Sequence, residues 1–298
     1  MPEPIVVEVR RSGIVEARHL VHAVAVRDGA VVHERGDASL TCFMRSSSKP
    51  IQALPLARAR GDLDSRDLAI ASASHRATEE QLAAAAALLQ KAGAAEEDLE
   101  LGLQRDRAPR KLAHNCSGKH AGMLALARAH GWPIEGYRLP DHPVQQAALD
   151  AHAEAAEVDA RDLATATDGC GVVTFALPLE RMAHAYARFE QLPGARRIAD
   201  AMRAHPDLVG GPDGVDCAFM QTVPGAIAKG GAEGLLCAAT ADGLGIALKA
   251  ADGASRPLGP ALAAFLAPLG VDLPALAVAP VANSRGERVG ELVAPATS

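Results

Sequence analysis

Apolar and polar residues alternate over positions 5–9, and the pattern returns over 19–26 and 30–33 on either side of Asp28-Gly29. A period of two marks a half-buried strand, and Asp-Gly between two such runs is a hairpin turn signal. The first forty residues therefore read as β. Beyond Lys49 the pattern changes to aliphatic helical runs. Positions 51–59 form one, interrupted by Pro55, which cannot sit freely in a helix interior. Positions 68–73 are too short for periodicity to choose between a buried strand and a short helix. Thr78-Glu79-Glu80-Gln81 has the form of a capping box and predicts a helix over 79–91 that stops near Gly93. Asp141 with Pro143 opens another to about Glu157, and 177–192 with 194–204 reads as a further pair. Strands return at 235–239 and 245–250, joined across Asp242-Gly243, and again at 288–292, with a helix over 260–269 between them.

The order is strands, a helical middle, then antiparallel strands. It predicts an α/β (α+β) fold whose antiparallel sheet is built from both chain ends, with a helical lobe beside it. No repeat and no low-complexity linker divides the 298 residues, a length that suits a single domain, 1–298, of two closely packed lobes.

Composition narrows the function classes. Aromatic residues are 3% of the chain and the formal net charge is −6. Stacking platforms for bases are scarce and no Lys/Arg block stands out, so nucleic acid is not an expected partner. The start, Met1-Pro2-Glu3-Pro4-Ile5-Val6, lacks the basic and apolar regions of a signal peptide, and no run is long and apolar enough to cross a membrane. Five cysteines, an odd number, do not make a secreted disulfide framework. The expected location is the cytoplasm.

Arg45-Ser46-Ser47-Ser48-Lys49-Pro50 is the most chemically suggestive segment. A helix starting here would put Ser46 and Lys49 on one face, with free N–H groups at its start to steady an oxyanion. Lys49 acts as a base only if neutral, and burial or a second cation can favour that form. Read alone, the segment is more often a polar loop. His114-Asn115-Cys116-Ser117-Gly118-Lys119-His120 and Asp168-Gly169-Cys170-Gly171 gather further reactive groups. Thiolates suit zinc, and a deprotonated Lys119 offers a third donor. Spacing by itself favours two buried thiols over a metal site, and a cysteine nucleophile with His114 or His120 as base is a third reading. Ala73-Ser74-His75 follows an apolar run, and Lys229-Gly230-Gly231-Ala232-Glu233-Gly234 puts a lysine before paired glycines, similar to the Lys-Thr-Gly strand of penicillin-recognising enzymes.

Taken in order, these five strings resemble the rhizobial-type (class 3) L-asparaginase II family and run from residue 45 to residue 234. The resemblance implies a fold similar to serine β-lactamases and penicillin-binding proteins, and hydrolysis of L-asparagine to L-aspartate and ammonia. It implies that Ser46 pairs with Lys49 and Ser74 with Lys229, that Arg45, His75 and Asp168 meet the substrate, and that Cys116, Lys119 and Cys170 hold Zn2+. Cys217 stands as an additional cysteine near that site, and a homodimer as the expected assembly. In one reading Ser46 attacks and Lys49 takes its proton, but the sequence leaves open which of the two Ser–Lys pairs supplies the nucleophile. Two departures are plain. Arg76-Ala77-Thr78-Glu79 stands where the family carries Gly-Glu after Ser-His, and the chain is shorter than its rhizobial members. The alternatives are another serine acyl-hydrolase of the same fold and a non-catalytic zinc- or amino-acid-binding protein. The other asparaginase classes fit badly, for no Thr-Gly-Gly-Thr string is present.

Overall fold

The computed structural model describes residues 1–295. The chain begins with three strands, β1 (Ile5–Arg11), β2 (Ile14–Arg27) and β3 (Ala30–Arg35). The β2–β3 hairpin turns at Asp28-Gly29, both with positive φ, as a tight primed turn requires. A short β4 (Thr41–Phe43) leads through a 3-10 turn, Arg45–Ser48, into α1 (Lys49–Gln52) and α2 (Leu54–Ala59). The helical middle follows with α3 (Ser65–Ala71), α4 (Glu79–Lys91), α5 (Ser117–His130) and α6 (Pro143–Ala156). Two more strands, β5 (Thr165–Thr167) and β6 (Val173–Pro178), precede α7 (Leu179–Ala187), α8 (Ala195–Ala204), α9 (Pro206–Gly210) and α10 (Val215–Thr222). The chain then returns to β7 (Ile227–Gly231), β8 (Leu235–Ala239) and β9 (Gly245–Ala250). It ends with α11 (Leu258–Leu266), α12 (Pro274–Ala277), β10 (Val278–Ala282) and β11 (Arg288–Val293).

One antiparallel sheet runs β10-β11-β1-β2-β9-β8-β7, with β3 also paired to β2. Its strands come from the first thirty-five residues and from everything after residue 226, so both chain ends build it, as the alternation pattern predicts. The register sets Val21–Val26 of β2 against Gly245–Ala250 of β9. Every residue of β8 is buried, because α7 packs across β2, β8 and β9 while α11 packs across β1, β2 and β9.

The segment that periodicity left undecided is helical over Leu68–Ala71, within α3, opened by a reciprocal capping box between Asp64 and Asp67; an Asp-x-x-Asp box satisfies the free N–H groups of a first turn as a Thr-x-x-Gln box does. Two features depart from the sequence reading. The run 177–192 is not one helix. Val173–Pro178 is a strand of a second, three-stranded sheet ordered β4-β6-β5, and α7 begins only at Leu179. The helix after Pro143 is capped by His142, whose ring nitrogen accepts the Val144 N–H, rather than by Asp141.

Candidate active site

Gly118 fixes where the central string lies. A Cβ there would sit 2.2 Å from the Ile70 carbonyl oxygen, so only glycine lets α5 cross α3 this closely. That crossing carries the start of α5, with Cys116 and Lys119, against the residues that follow α3. The Ser74 N–H donates to the Val209 carbonyl and the His75 N–H to the Asn115 carbonyl, which threads Ser74 between the start of α5 and the end of α9.

Lys49 lies behind Ser74 with no solvent exposure. Its amine is 2.5 Å from the Ala73 carbonyl oxygen and 2.9 Å from Ser74 Oγ. The pairing therefore differs from the one implied by resemblance. Lys49 meets Ser74, not Ser46, although Ser46 sits three residues away in the same helical turn. Lys229, 1% exposed, meets neither serine. Its amine is 3.3 Å from Asp216 Oδ2 and donates to the Gly230 carbonyl at 2.9 Å. Burial pushes the Lys49 pKa down to about 8, helped by the charges of Lys119 and Lys229 and opposed by Cys116. Burial also works against the Asp216 carboxylate, yet Lys229 and the N–H groups of Gly230 and Cys217 outweigh it and hold its pKa below the usual value.

Ser46, Ser74 and Lys229 share one cleft of about 520 Å³, whose other lining includes Arg76, Arg107, Asn115, Asp216 and Gly230–Gly231. That volume lies within the usual range of small-molecule sites. Arg107 donates to the His75 carbonyl at 2.8 Å. His75 itself is fully buried and 2.7 Å from Ser117 Oγ, with burial driving its pKa down to about 3. Its side chain supports the start of α5 and does not face the cleft, contrary to its expected contact with substrate.

Arg45 adopts a left-handed backbone, φ 50°, held by its N–H to Thr174 Oγ1 at 3.2 Å and by its Nε to Asp168 Oδ1 at 2.5 Å. Such strain, about 1–3 kcal/mol, persists where surroundings over-determine it. Asp168 is also 3.8 Å from the Lys119 amine, and this links the Ser-x-x-Lys turn to the cysteine cluster. Lys119 Nζ is 3.1 Å from Cys170 Sγ, Cys170 Sγ is 3.8 Å from Asp168 Oδ2, and Cys116 is buried beside them. Cys116, together with Lys119 and His120, holds Cys170 far below the ordinary thiol range. Cys170 and burial push Cys116 up. Against the cost of burial, Cys170, Cys116 and Asp168 hold Lys119 above its usual range.

Two buried thiols, with a lysine amine 3.1 Å from one of them, match the donor chemistry of a borderline-soft ion such as zinc. Among the described residues no group of three His, Cys, Asp or Glu is placed to hold a metal, so an ion here depends on Lys119 as third donor. His114 and His120 lie beside the cluster, and burial lowers both, His114 to about 4. Cys217 is elsewhere. Its thiol is 3.0 Å from Asp207 Oδ1, between α9 and α10.

Asp216 and Arg107 were not legible as site residues from spacing. Asp216 had one signal, the glycines of Val209-Gly210-Gly211-Pro212-Asp213-Gly214: a Cβ on Gly210 would sit 2.1 Å from Asp216 Oδ1.

Comparison with known proteins supplies the family. No curated protein matches the chain. Among solved structures, native Mglu superposes with a TM-score of 0.48 at 15% identity, over 85% of this chain and 65% of Mglu. The chain thus spans less than two thirds of Mglu's length. A β-lactamase from Mycobacterium bovis superposes with a TM-score of 0.39 at 12% identity, over 78% of this chain and 88% of that one. The family model described as L-asparaginase II matches residues 7–294, which takes in both chain ends of the sheet and every site residue above. The chain belongs to the L-asparaginase II family.

Proposed function

We propose that the protein hydrolyses the side-chain amide of L-asparagine to L-aspartate and ammonia, with Ser74 as nucleophile and Lys49 as its base. The observation that carries this reading is the 2.9 Å contact between Lys49 Nζ and Ser74 Oγ at the wall of the cleft. A neutral amine there donates one N–H to the Ala73 carbonyl and turns its lone pair to the Ser74 hydroxyl, the geometry of a general base. With a pKa of about 8, roughly a tenth of Lys49 is neutral at pH 7.

In the acylation half, Lys49 takes the Ser74 proton as Oγ bonds to the amide carbon. Lys49 then returns a proton to the leaving nitrogen, the C–N bond breaks and ammonia departs. Water attacks the resulting aspartyl ester as Lys49 takes its proton; Lys49 passes that proton to Ser74 Oγ as the ester C–O bond breaks and L-aspartate is released. Lys229, kept beside the Asp216 carboxylate, supplies a fixed positive charge where the oxyanion develops. Ser46 lines the same cleft and hydrogen-bonds substrate. Of the two serines the sequence left open as nucleophile, this assignment takes Ser74, the hydroxyl that touches Lys49.

Cys116, Cys170 and Lys119 are the residues that would hold a zinc ion. When bound, it supplies Lewis-acid polarisation and a positive charge that favours the neutral form of neighbouring lysines.

Ammonia release from L-asparagine tests the reading. Ser74→Ala is expected to lower kcat by a factor on the order of 10⁴. Ser46→Ala is expected to lower kcat/KM about tenfold, the loss of one hydrogen bond. A Ser74→Ala protein with near-normal turnover contradicts the assignment. A covalent β-lactam adduct without ammonia release would instead select the acyl-hydrolase alternative.

A further inference from the structure

One arginine of the cleft is held in an unusual way. Arg256 lies in the loop between β9 and α11 and lines the same cleft as Ser46, Ser74 and Lys229. It is exposed, yet its Nε donates at 2.9 Å to Nε2 of His19, a residue of β2 that is only 6% exposed. His19 Nδ1 is in turn 2.5 Å from Asp252 Oδ2. The order of these contacts fixes the tautomer. A guanidinium only donates, so Nε2 accepts and Nδ1 carries the proton that it gives to Asp252. The chain Asp252–His19–Arg256 is therefore polarised in one direction and grips the guanidinium by its inner nitrogen. Among the described residues, no protein acceptor lies within hydrogen-bonding distance of the two outer nitrogens of Arg256. An exposed arginine normally keeps its rotamer freedom, and immobilising one costs conformational entropy. Here a nearly buried histidine and a carboxylate are committed to aiming it.

The charges of the cleft agree with an anionic ligand. Arg76, Arg107, Lys229 and Arg256 line it, against Asp213 and Asp216, and Asp216 is already engaged with Lys229. Arg107 is engaged with backbone carbonyls. Arg76 reaches the Gly210 carbonyl only at 3.4 Å and has no side chain orienting it. Arg256 combines a fixed direction with two open donors, the arrangement that takes a carboxylate in a fork.

We propose that Arg256, oriented by His19 and Asp252, is the residue that anchors the substrate's α-carboxylate in the cleft. This deepens the amidase reading and rests on it for the bond that is broken. Arg256 acts as a specificity residue, and His19 and Asp252 act as positioning residues.

Two measurements on the full chain test it together. In calorimetry with L-aspartate, Arg256→Gln is expected to weaken binding about 10- to 100-fold, the loss of a charge-assisted fork. Arg256→Lys should recover part of that loss, and Asp252→Asn should weaken binding a few-fold. In ammonia-release assays, Arg256→Gln should raise KM for L-asparagine by a similar factor with kcat within about twofold. It should also erase the wild-type preference for L-asparagine over the same compound with its α-carboxylate amidated. An unchanged KM and unchanged aspartate binding in Arg256→Gln overturn the proposal, as does a fall in kcat alone accompanied by a lower melting temperature. If the wild type binds L-aspartate, loses it on Arg256→Gln, yet releases no ammonia, the anchor stands and the amidase reading fails. Wild type that binds no L-aspartate sinks the anchor.

Discussion

Lys49 and Lys229 have the same chemistry and almost the same burial, 0% and 1%, but their neighbours divide their roles. Lys49 has a carbonyl and a hydroxyl beside its amine and no carboxylate, so burial outweighs the opposing pull of Cys116 and Cys170 and its pKa falls. Lys229 has Asp216 at 3.3 Å and, against the cost of burial, helps hold that carboxylate's pKa below its usual value. The sign of the pH dependence follows. Below a pKa of about 8 the Lys49 ammonium dominates and cannot take the Ser74 proton. Turnover is therefore expected to rise with pH along a single limb with a midpoint near 8, as measured in kcat/KM profiles. Asp216→Asn should lower kcat by a factor of about 10–100, because it weakens the fixed charge that faces the oxyanion. A flat profile between pH 6 and 9 counts against Lys49 as the base. The sequence could not reveal this division. Ser-x-x-Lys spacing places Ser46 and Lys49 in one turn, but the direction of a four-carbon stem is decided by what surrounds it, here the Ala73-Ser74 segment arriving from twenty-five residues away.

At the scale of elements, local signals were readable and close approaches were not. The Thr78 capping box is present as read, with Thr78 and Gln81 satisfying each other's N–H groups, and the Asp28-Gly29 and Asp242-Gly243 turns join the strand pairs expected. These depend on neighbours a few residues apart. The second sheet was missed because β4, Thr41–Phe43, and β5, Thr165–Thr167, have three residues each, too few to show a period. The approach of Cys116 to Cys170 likewise depends on α5 lying against α3, for which the local traces are Gly118 and Gly122, whose Cβ would sit 3.2 Å from that of Ala71. Gly118→Ala forces a methyl group against the Ile70 carbonyl and is expected to cost about 1–3 kcal/mol. Thermal or denaturant unfolding would show it, and activity should fall with it as the start of α5 moves off Ser74. An unfolding midpoint equal to that of the wild type would mean that the α3–α5 contact is not as close as described.

For the whole molecule, both chain ends complete the sheet that carries Lys229 and His19, with Arg256 in the loop that follows β9, while the middle of the chain carries Lys49, Ser74, Cys116 and Cys170. The cleft forms where those two bodies meet, so each half of the chemistry is incomplete without the other. The cysteine cluster bears on the same junction, because Asp168 joins Lys119 to Arg45. Cys116→Ser is expected to lower the zinc content of purified protein from near one equivalent to near none, measured by elemental analysis. Full metal content in that variant contradicts the donor set Cys116, Cys170 and Lys119.

The central claim is that Ser74 bonds covalently to the substrate carbon, and labelling tests it most directly. The wild-type protein is to be treated with an electrophilic asparagine analogue, such as a diazo ketone, then digested and mapped by mass spectrometry. The account predicts one adduct, on Ser74, that is absent when Lys49 is replaced by Met. An adduct on Ser46 or on a cysteine, or labelling of Ser74 that persists without Lys49, would contradict it.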